Sequence, residues 1–188
     1  LHLRSLAQHV DGRVLQIQAQ LISDHLTAGQ DRDVTQHFLA TIAKALGTTE
    51  LAAAQKMPED AVAFVAGNVS EKFDDVWAAL AAWEKVTLFL VHAGHVFEIQ
   101  GKLTAGKRAM GYYNILAKDA VIGGHLKYDD IAAIVFVTMP FMKRESHSVH
   151  FFAKDGTVAF SVYVGRENHQ LIPAVVDAFK ADKARFTA

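Results

Sequence analysis

The hydrophobic positions of this chain follow a helical period in the first part, lose it in a long strand-rich stretch, and regain it near the end. The strand-rich stretch runs from Val86 to Gly165 and is dense in β-branched and aromatic residues, with Gly, Asp and Pro at short intervals. This composition is typical of consecutive strands joined by tight turns. Because the connections are short and carry no helical pattern, we expect an antiparallel sheet.

Turn residues divide this stretch into its strands. Ala93-Gly94 separates two apolar runs as a two-residue hairpin turn, and Lys154-Asp155-Gly156 joins two more strands further on. Gly123-Gly124 marks a turn or bulge, and residues 106–108 are expected to form a basic loop. Pro140 is expected to interrupt its strand, because proline lacks the N–H that a sheet ladder needs.

Two short helices are predicted ahead of the sheet. Asp33 is a suitable cap for the first, and Gly47 suits its C-terminal end. The apolar residues of this first helix recur at every fourth position: Val34, Phe38, Ile42 and Leu46. Thr48 or Thr49 caps the second helix, which is expected to continue to Met57.

Two longer helices are predicted on either side of the strands. Ser70 is a suitable N-cap for the first of them. Its apolar stripe has helical spacing: Phe73, Val76, Trp77, Leu80 and Trp83. Because an aromatic stripe is far more often core than ligand site, we expect it to pack on the sheet. The closing helix is expected from about Asn168 to Lys183, with Pro173 near its first turn and His169 in its N-terminal turn.

The first thirty residues are compatible with two local structures. Asp11-Gly12 can turn a hairpin, whereas the spacing of apolar residues between Val14 and His25 favours a helix. We favour the helix and assign this part no chemistry. The chain is therefore divided into an N-terminal extension of uncertain role, residues 1–30, and a single α+β domain, residues 31–188.

Composition narrows the functional classes. The chain has 188 residues, 51% of them hydrophobic, with a formal net charge of −1 and no cysteine. Thiolate catalysis, disulfides and iron–sulfur or cysteine-zinc sites are therefore excluded. The charge balance argues against a nucleic-acid partner, and the first two helices carry too little positive charge for a helix-turn-helix. No apolar run is long enough to span a bilayer, so we expect no membrane insertion and a cytoplasmic protein.

Histidine is frequent, with ten residues, and it is a common ligand of metals and cofactors. His92 and His95 would be cross-strand neighbours beside the predicted turn, but two histidines without a third ligand make a weak zinc site. His125 follows two glycines, which would let a flat cofactor approach an axial ligand; the alternative is a turn histidine bonded to a carbonyl. His147 and His150 face opposite ways on one strand, and we treat both as structural, with His150 as a reserve ligand.

Basic residues occur in pairs beside aromatic strands, as Lys107-Arg108 and Lys143-Arg144. Such pairs suit a ligand with an apolar body and carboxylate tails, because each carboxylate that leaves water needs a charge-assisted partner. The commoner alternative is charge solvated on a loop. The acidic pairs Asp74-Asp75 and Asp129-Asp130 resemble solvated caps rather than a catalytic dyad.

Four blocks of sequence occur in the order and spacing of a known family. They are KFDDVWAALAAWEKVTLFLVHAGHVFEIQGKL (72–103), GYYNI (111–115), GGHLK (123–127) and FMKRESHSVHFFAKDGTVAFSVYVGRENHQL (141–171). The chain therefore resembles the haem-utilisation carriers of the HutX/ChuX type over about residues 34–182. The first thirty residues lie outside the resemblance.

The resemblance implies a large antiparallel sheet packed against helices on one side, similar to one half of the HemS/ChuS-type haem-handling proteins. It implies a homodimer that resembles such a protein as a whole. It also implies a cytoplasmic haem-binding protein of Gram-negative haem uptake, which stores haem or passes it to a degrading enzyme. Haem would then be the cargo.

Site residues follow from the same resemblance. The family's haem-linked histidines match His125, which we prefer as the axial ligand of the haem iron, and His92, which is the second candidate. The candidate partners of the haem propionates are Lys107, Arg108, Lys127 and Arg144. Where the family often has further histidines, this chain has Lys107-Arg108-Ala109-Met110. That segment keeps a basic residue for a propionate, and Met110 is a possible soft ligand that we expect to pack instead.

Two other functions stay open. One is a haem-degrading enzyme of the HemS/ChuS type, although no proton-delivery pair is evident near the candidate ligands. The other is a dimeric interaction module that binds no haem, in which exposed sheet surface would serve the dimer alone.

Overall fold

A computed structural model describes residues 34–141 and 144–188, with Gly12 and Gln16 as isolated positions. The predictions for the first thirty residues, and the cap assigned to Asp33, otherwise lie outside the described residues. The helices of the described part are α1 (Val34–Leu46), α2 (Glu50–Ala54), α3 (Val69–Ala82) and α4 (Pro173–Thr187). None of these helices is long and apolar enough to cross a membrane.

The strands in order are β1 (Val62–Phe64), β2 (Val86–His92), β3 (His95–Gly101), β4 (Lys107–Ala109), β5 (Tyr112–Ile115), β6 (Gly124–Leu126), β7 (Ile131–Phe141), β8 (Arg144–Ala153), β9 (Val158–Val164), β10 (Arg166–Glu167) and β11 (Gln170–Leu171). A 3₁₀ turn, Tyr128–Asp130, precedes β7.

Within the described residues, the strands form three antiparallel sheets rather than one. The large sheet has six strands in the order β1-β7-β8-β9-β2-β3, while β4-β5-β6 form a three-stranded sheet and β10-β11 a short hairpin. The predicted turn at Ala93-Gly94 is confirmed, because His92 pairs with His95 across it. The α+β class with a large antiparallel sheet is therefore confirmed, and the separate three-stranded sheet is the unforeseen part.

Helices cover both faces of the six-stranded sheet. Alternate residues of β7 point to opposite faces, with Ile134 and Phe136 in one hydrophobic cluster and Val135 and Val137 in the other. The first cluster contains the buried residues of α3 and α4, and the second joins α1 and α2 to the sheet. The detail that helices lie on one side only is therefore wrong.

The aromatic stripe of α3 lies in the first cluster, as predicted. Four of its residues are at most 1% exposed: Phe73, Val76, Trp77 and Leu80. The ring of Phe73 meets the rings of Tyr113 on β5 and Phe151 on β8 edge-on, with centroids 5.5 and 5.7 Å apart. Through α3, the three-stranded sheet is thus packed against the six-stranded one.

The ends of two helices differ from prediction. Asn68, not Ser70, caps α3, because its Oδ1 accepts a hydrogen bond from the Ser70 amide at 3.0 Å and so satisfies a free N–H of the first turn. Thr49 caps α2, as one of the two predicted candidates. The helix then ends at Ala54 instead of Met57.

Two predicted interruptions of the sheet are in fact strands. Lys107–Ala109 is β4, because it pairs with β5. Pro140 lies inside β7. The amide of Thr138 donates to the carbonyl of Ala61, on the side of β7 that faces β1. The backbone nitrogen of Pro140 faces the same side, but β1 does not extend that far. Proline therefore removes no ladder hydrogen bond at this position.

The closing helix begins later than predicted. Pro173 occupies its first turn, where the fixed φ of proline suits a helix start. The preceding residues form the β10-β11 hairpin, in which Asn168 and His169 have φ values of 49° and 63°. A two-residue hairpin turn requires such positive angles. His169 therefore lies in a turn and not in the helix.

Candidate functional site

The three-stranded sheet turns one face to the core and the other to solvent. Tyr113 and Ile115 of β5 are 2% and 1% exposed and belong to the cluster around α3. The Gly106 amide donates a hydrogen bond to the Tyr113 hydroxyl at 2.7 Å, and any side chain at Gly106 would collide with the carbonyl oxygen of Asn114. This close approach fixes the chain entering β4 against β5, so the outer face is firmly positioned.

On the outer face, strand pairing brings Lys107, Asn114 and His125 into one cross-strand row. Lys107 on β4 pairs with Asn114 on β5, which pairs in turn with His125 on β6. Nδ1 of His125 lies 2.5 Å from Oδ1 of Asn114. The rings of Tyr112 and His125 meet edge to face, with centroids 6.1 Å apart. His125 is exposed, yet its imidazole is held by neighbours on its own sheet.

An apolar groove of 530 Å³ is lined by this row, and we call it the His125 groove. Its apolar wall consists of Ala105, Ala109, Met110, Leu116 and Ala117. Its polar groups are the imidazole, the amide and the ammonium of the row. An imidazole is a ligand for iron, an ammonium attracts a carboxylate, and an apolar wall gains from burial against a flat ring system.

Met110 lies at the tip of the β4-β5 hairpin and is 97% exposed, so the expectation that it packs is wrong. The two residues of the turn, Met110 and Gly111, have φ values of 53° and 78°. Positive φ at both positions defines the type I′ turn, one of the two common two-residue hairpin turns. The turn therefore holds the thioether at the rim of the His125 groove rather than in the core.

Arg108 points to the opposite face from Lys107, because successive residues of a strand alternate. Its guanidinium donates to Asp74 on α3 at 2.8 Å and to the carbonyl of Ser70. It also lies 3.9 Å from the centre of the Tyr128 ring. These partners attach β4 to α3. The structure therefore leaves Lys107 on the groove side and engages Arg108 elsewhere.

The two remaining candidate cations differ in their surroundings. Nζ of Lys127 lies 5.4 Å from the centre of the Tyr112 ring, on the His125 side of the sheet, and 3.4 Å from Asp129. An exposed ion pair of this kind is weak, so the ammonium can exchange partners readily. Arg144 begins β8, but its side chain lies outside the described part of the chain. Its role stays a prediction.

His92 lines a different cavity. β2 pairs with β9 only from Val86 to Phe89, whereas β2 continues to His92 with β3 alone. The two strands separate beyond Phe89, and a cavity of 350 Å³ lies there, which we call the fork cavity. Its lining includes His92, Phe160 and His150. In the described part of the chain, His92 and His125 therefore line two separate cavities.

His150 lies at the buried side of the fork cavity. It is 3% exposed, its Nε2 lies 3.0 Å from Oγ of Ser148, and its Nδ1 has no hydrogen-bond partner among the described residues. Burial lowers the pKa of His150 from 6.5 to about 4, so the imidazole is neutral near pH 7. On the opposite face, His147 is 2% exposed and packs against Phe179 with ring centroids 4.8 Å apart. Both environments suit structural residues.

Asn114 was missed by the sequence reasoning. The available signal was the alternation in GYYNI, where an asparagine stands between the buried Tyr113 and Ile115 and so belongs to the outer face. Its partner is set by the register between β5 and β6, which alternation within one strand does not specify.

Comparison with known proteins identifies the family. Residues 68–181, more than half of the chain, match the family described as haem utilisation ChuX/HutX. The chain belongs to the ChuX/HutX family. It is 39% identical over 143 residues to the intracellular heme transport protein HutX of Vibrio cholerae, covering 76% of this chain and 72% of that protein. The resemblance inferred from the sequence blocks is confirmed.

Solved structures of relatives agree with the fold. The heme-binding protein ChuX is 28% identical, with a TM-score of 0.70 over 81% of this chain and 99% of its own. The heme-degrading enzyme ChuS of Escherichia coli O157:H7 is 18% identical, with a TM-score of 0.66 over 95% of this chain but 49% of ChuS. At that identity ChuS supports the fold alone, and the similarity of the ChuX/HutX fold to one half of ChuS is confirmed.

The buried imidazole of His150 makes stability depend on pH. Below pH 6.5 the unfolded chain binds a proton that the folded chain excludes until about pH 4. The free energy of unfolding should therefore fall as pH decreases through this window, by up to about 3 kcal/mol from this residue. In His150→Gln, urea unfolding should show a shallower pH dependence, whereas the exposed control His92→Gln should match wild type. Equal slopes in His150→Gln and wild type would contradict the assignment.

Proposed function

We propose that this protein binds haem and stores or carries it within the cytoplasm, as part of haem uptake for iron acquisition. The observation that carries the proposal is the cross-strand row of Lys107, Asn114 and His125 beside an apolar groove. Membership of the ChuX/HutX family supports it. The relatives named as transport or binding proteins favour a carrier over a degrading enzyme.

Each group of the His125 groove has a distinct part in this proposal. His125 offers an imidazole nitrogen to the haem iron, which is how protein histidines ligate haem. The apolar wall around Met110 and Leu116 contacts the porphyrin and removes its surface from water. Lys107, and Lys127 two residues after His125 on the same side of the sheet, meet the propionates with charge-assisted hydrogen bonds.

The other predicted residues take secondary parts. His92 is a second candidate ligand, acting from the fork cavity, and Arg144 stays a candidate propionate partner. Arg108 would have to give up Asp74 and the Tyr128 ring to reach a propionate, so we assign it to holding β4 on α3.

The openness of the groove suits a carrier. His125 is exposed and Met110 is almost wholly solvent-accessible, so a bound haem would keep part of its surface in water. A site of this kind lets an acceptor contact the cargo before it dissociates. A haem-degrading enzyme is the downstream partner that we propose.

Haemin titration tests the proposal directly. We expect a saturable change of the Soret band at about one haem per subunit, and an affinity loss of about tenfold or more in His125→Ala. His92→Ala tests the second candidate ligand and should lose less, because His92 lines the other cavity. Failure of the wild-type protein to give a saturable Soret change would exclude haem carriage. Equal spectra and affinity in wild type and His125→Ala would exclude His125 as ligand.

Removal of one cation tests how the propionates are held. Lys107→Met should raise the haem dissociation constant by about threefold to tenfold, since a hydrogen bond to a charged group contributes about 1.5–3 kcal/mol and this site is partly exposed. The loss should diminish for a haem dimethyl ester, which lacks the carboxylates. Lys102→Met is the matched control, because Lys102 lies outside the His125 groove. Equal losses for haem and its diester would contradict this role.

We also propose that the protein is a homodimer. Two copies of this chain would together match a ChuS-like protein, of which one copy covers about half. On the edge strand β3 and its neighbour β2, Phe97 pairs with Leu90, and the two are exposed by 56% and 37% on one face, an apolar surface that a second copy could cover. Equilibrium sedimentation should give twice the chain mass, and Phe97→Asp should weaken the association. A wild-type monomer at all accessible concentrations would refute the dimer.

A further inference from the structure

The side-chain amide of Asn114 has a single possible orientation. Its Nδ2 lies 3.2 Å from the carbonyl oxygen of Lys107, and 3.0 Å from those of Ala109 and Tyr112. A carbonyl oxygen only accepts hydrogen bonds, so the group that faces all three must be the donor NH₂. The reversed amide would place oxygen against three oxygens. Oδ1 is therefore the atom that faces His125.

This orientation determines which nitrogen of His125 carries the proton. Oδ1 of Asn114 only accepts, and it lies 2.5 Å from Nδ1 of His125. Nδ1 must therefore donate, so whenever the imidazole is neutral it is in the Nδ1–H form. The lone pair is then on Nε2, the nitrogen that Asn114 does not engage. In water a neutral histidine side chain favours the opposite form, with the proton on Nε2, so the sheet reverses the ordinary preference.

We propose that Asn114 is the positioning residue of the haem site: it holds His125 in the Nδ1–H form and presents Nε2 to the groove as the iron ligand. Histidines that bind metals commonly donate their other N–H to an oxygen acceptor, which fixes the ring and increases the basicity of the ligating nitrogen. The hairpin of β4 and β5 supplies the three carbonyls that fix the orientation of the Asn114 amide. The preference of His125 for the Nδ1–H form is therefore present in the haem-free protein.

The edge-to-face contact of Tyr112 restricts the same imidazole from a second direction. The iron-ligating part of this inference rests on the proposed function. The protonation of His125 in the haem-free protein does not.

The simplest competing role is structural, in which Asn114 only braces the β4-β5 hairpin through its NH₂ group. Two substitutions separate the roles. Asn114→Leu removes both the donor and the acceptor. Asn114→Asp also removes the donors, and its carboxylate is repelled by the three carbonyls, but it retains an oxygen that can accept from Nδ1–H. A purely bracing residue would make Asp at least as damaging as Leu, whereas the positioning role predicts that Asp is better.

The first measurement uses the haem-free protein. Long-range ¹H–¹⁵N spectra at a pH where exposed imidazoles are neutral distinguish a protonated from an unprotonated ring nitrogen. We expect protonated Nδ1 in His125 of wild type and Asn114→Asp, and reversion to protonated Nε2 in Asn114→Leu. His92 is the internal control, since it has no side-chain hydrogen bond within the described residues and should show the ordinary Nε2–H form. Protonated Nε2 in wild-type His125 would overturn the proposal outright.

The second measurement uses the haem complex. Asn114→Leu should lower haem affinity by about 10-fold to 100-fold, while Asn114→Asp should bind more tightly than Leu and give a lower reduction potential, because a carboxylate makes the imidazole more electron-rich. Equal affinity and potential in the two variants would overturn the positioning role. If no variant, including wild type, binds haem while the spectra show Nδ1–H, then the proposed function fails and the assignment of Asn114 to His125 stands.

Discussion

The contact between the Phe73 and Tyr113 rings determines where the site lies. It seats the middle strand of the three-stranded sheet on α3, and two half-buried hydrogen bonds reinforce it. Nε1 of Trp77 donates to the carbonyl of Thr104 at 2.9 Å, and the Tyr113 hydroxyl accepts from Gly106 at 2.7 Å. Because Trp77 and Tyr113 are buried, breaking either bond would leave the indole N–H or the phenol hydroxyl without a partner. Packing of the inner face on α3 therefore also fixes the position of the outer face, which carries His125.

Much of the fold follows from local pattern. The turn at Ala93-Gly94 and the stripe from Phe73 to Leu80 depend on residue type and spacing within one element, and both are present. The predictions fail where the local structure depends on contacts with another part of the chain. Asn68 and Ser70 are both acceptable caps, and the start of α3 depends on which of them meets the free amides. Pro140 is tolerated because β1, which begins at Val62 opposite Val137, does not extend along β7 as far as Pro140, and nothing near Pro140 in the chain indicates this.

The site is harder to predict because the register between β4, β5 and β6 determines which side chains lie next to each other. The family resemblance drew attention to His125 and to the basic pair Lys107-Arg108, but it could not separate the two cations. Once residues 107–109 form a strand, alternation gives one cation to the groove and the other to Asp74. Asn114 acquires its importance only when β6 pairs beside it. Chemistry that spans three strands is visible only after the strands are assembled.

The missing side chain at Gly106 also protects the assembly of this small sheet. If β4 slipped by one residue against β5, Lys107 would move into the place of Gly106, and its Cβ would clash with the carbonyl of Asn114 and, at 2.6 Å, with the Tyr113 ring. The same slip would turn Arg108 outward and leave Asp74 facing the uncharged Ala109. A strand of three residues is ordinarily free to pair in several ways. Here Gly106, which has no side chain, disfavours this shifted register of β4 against β5.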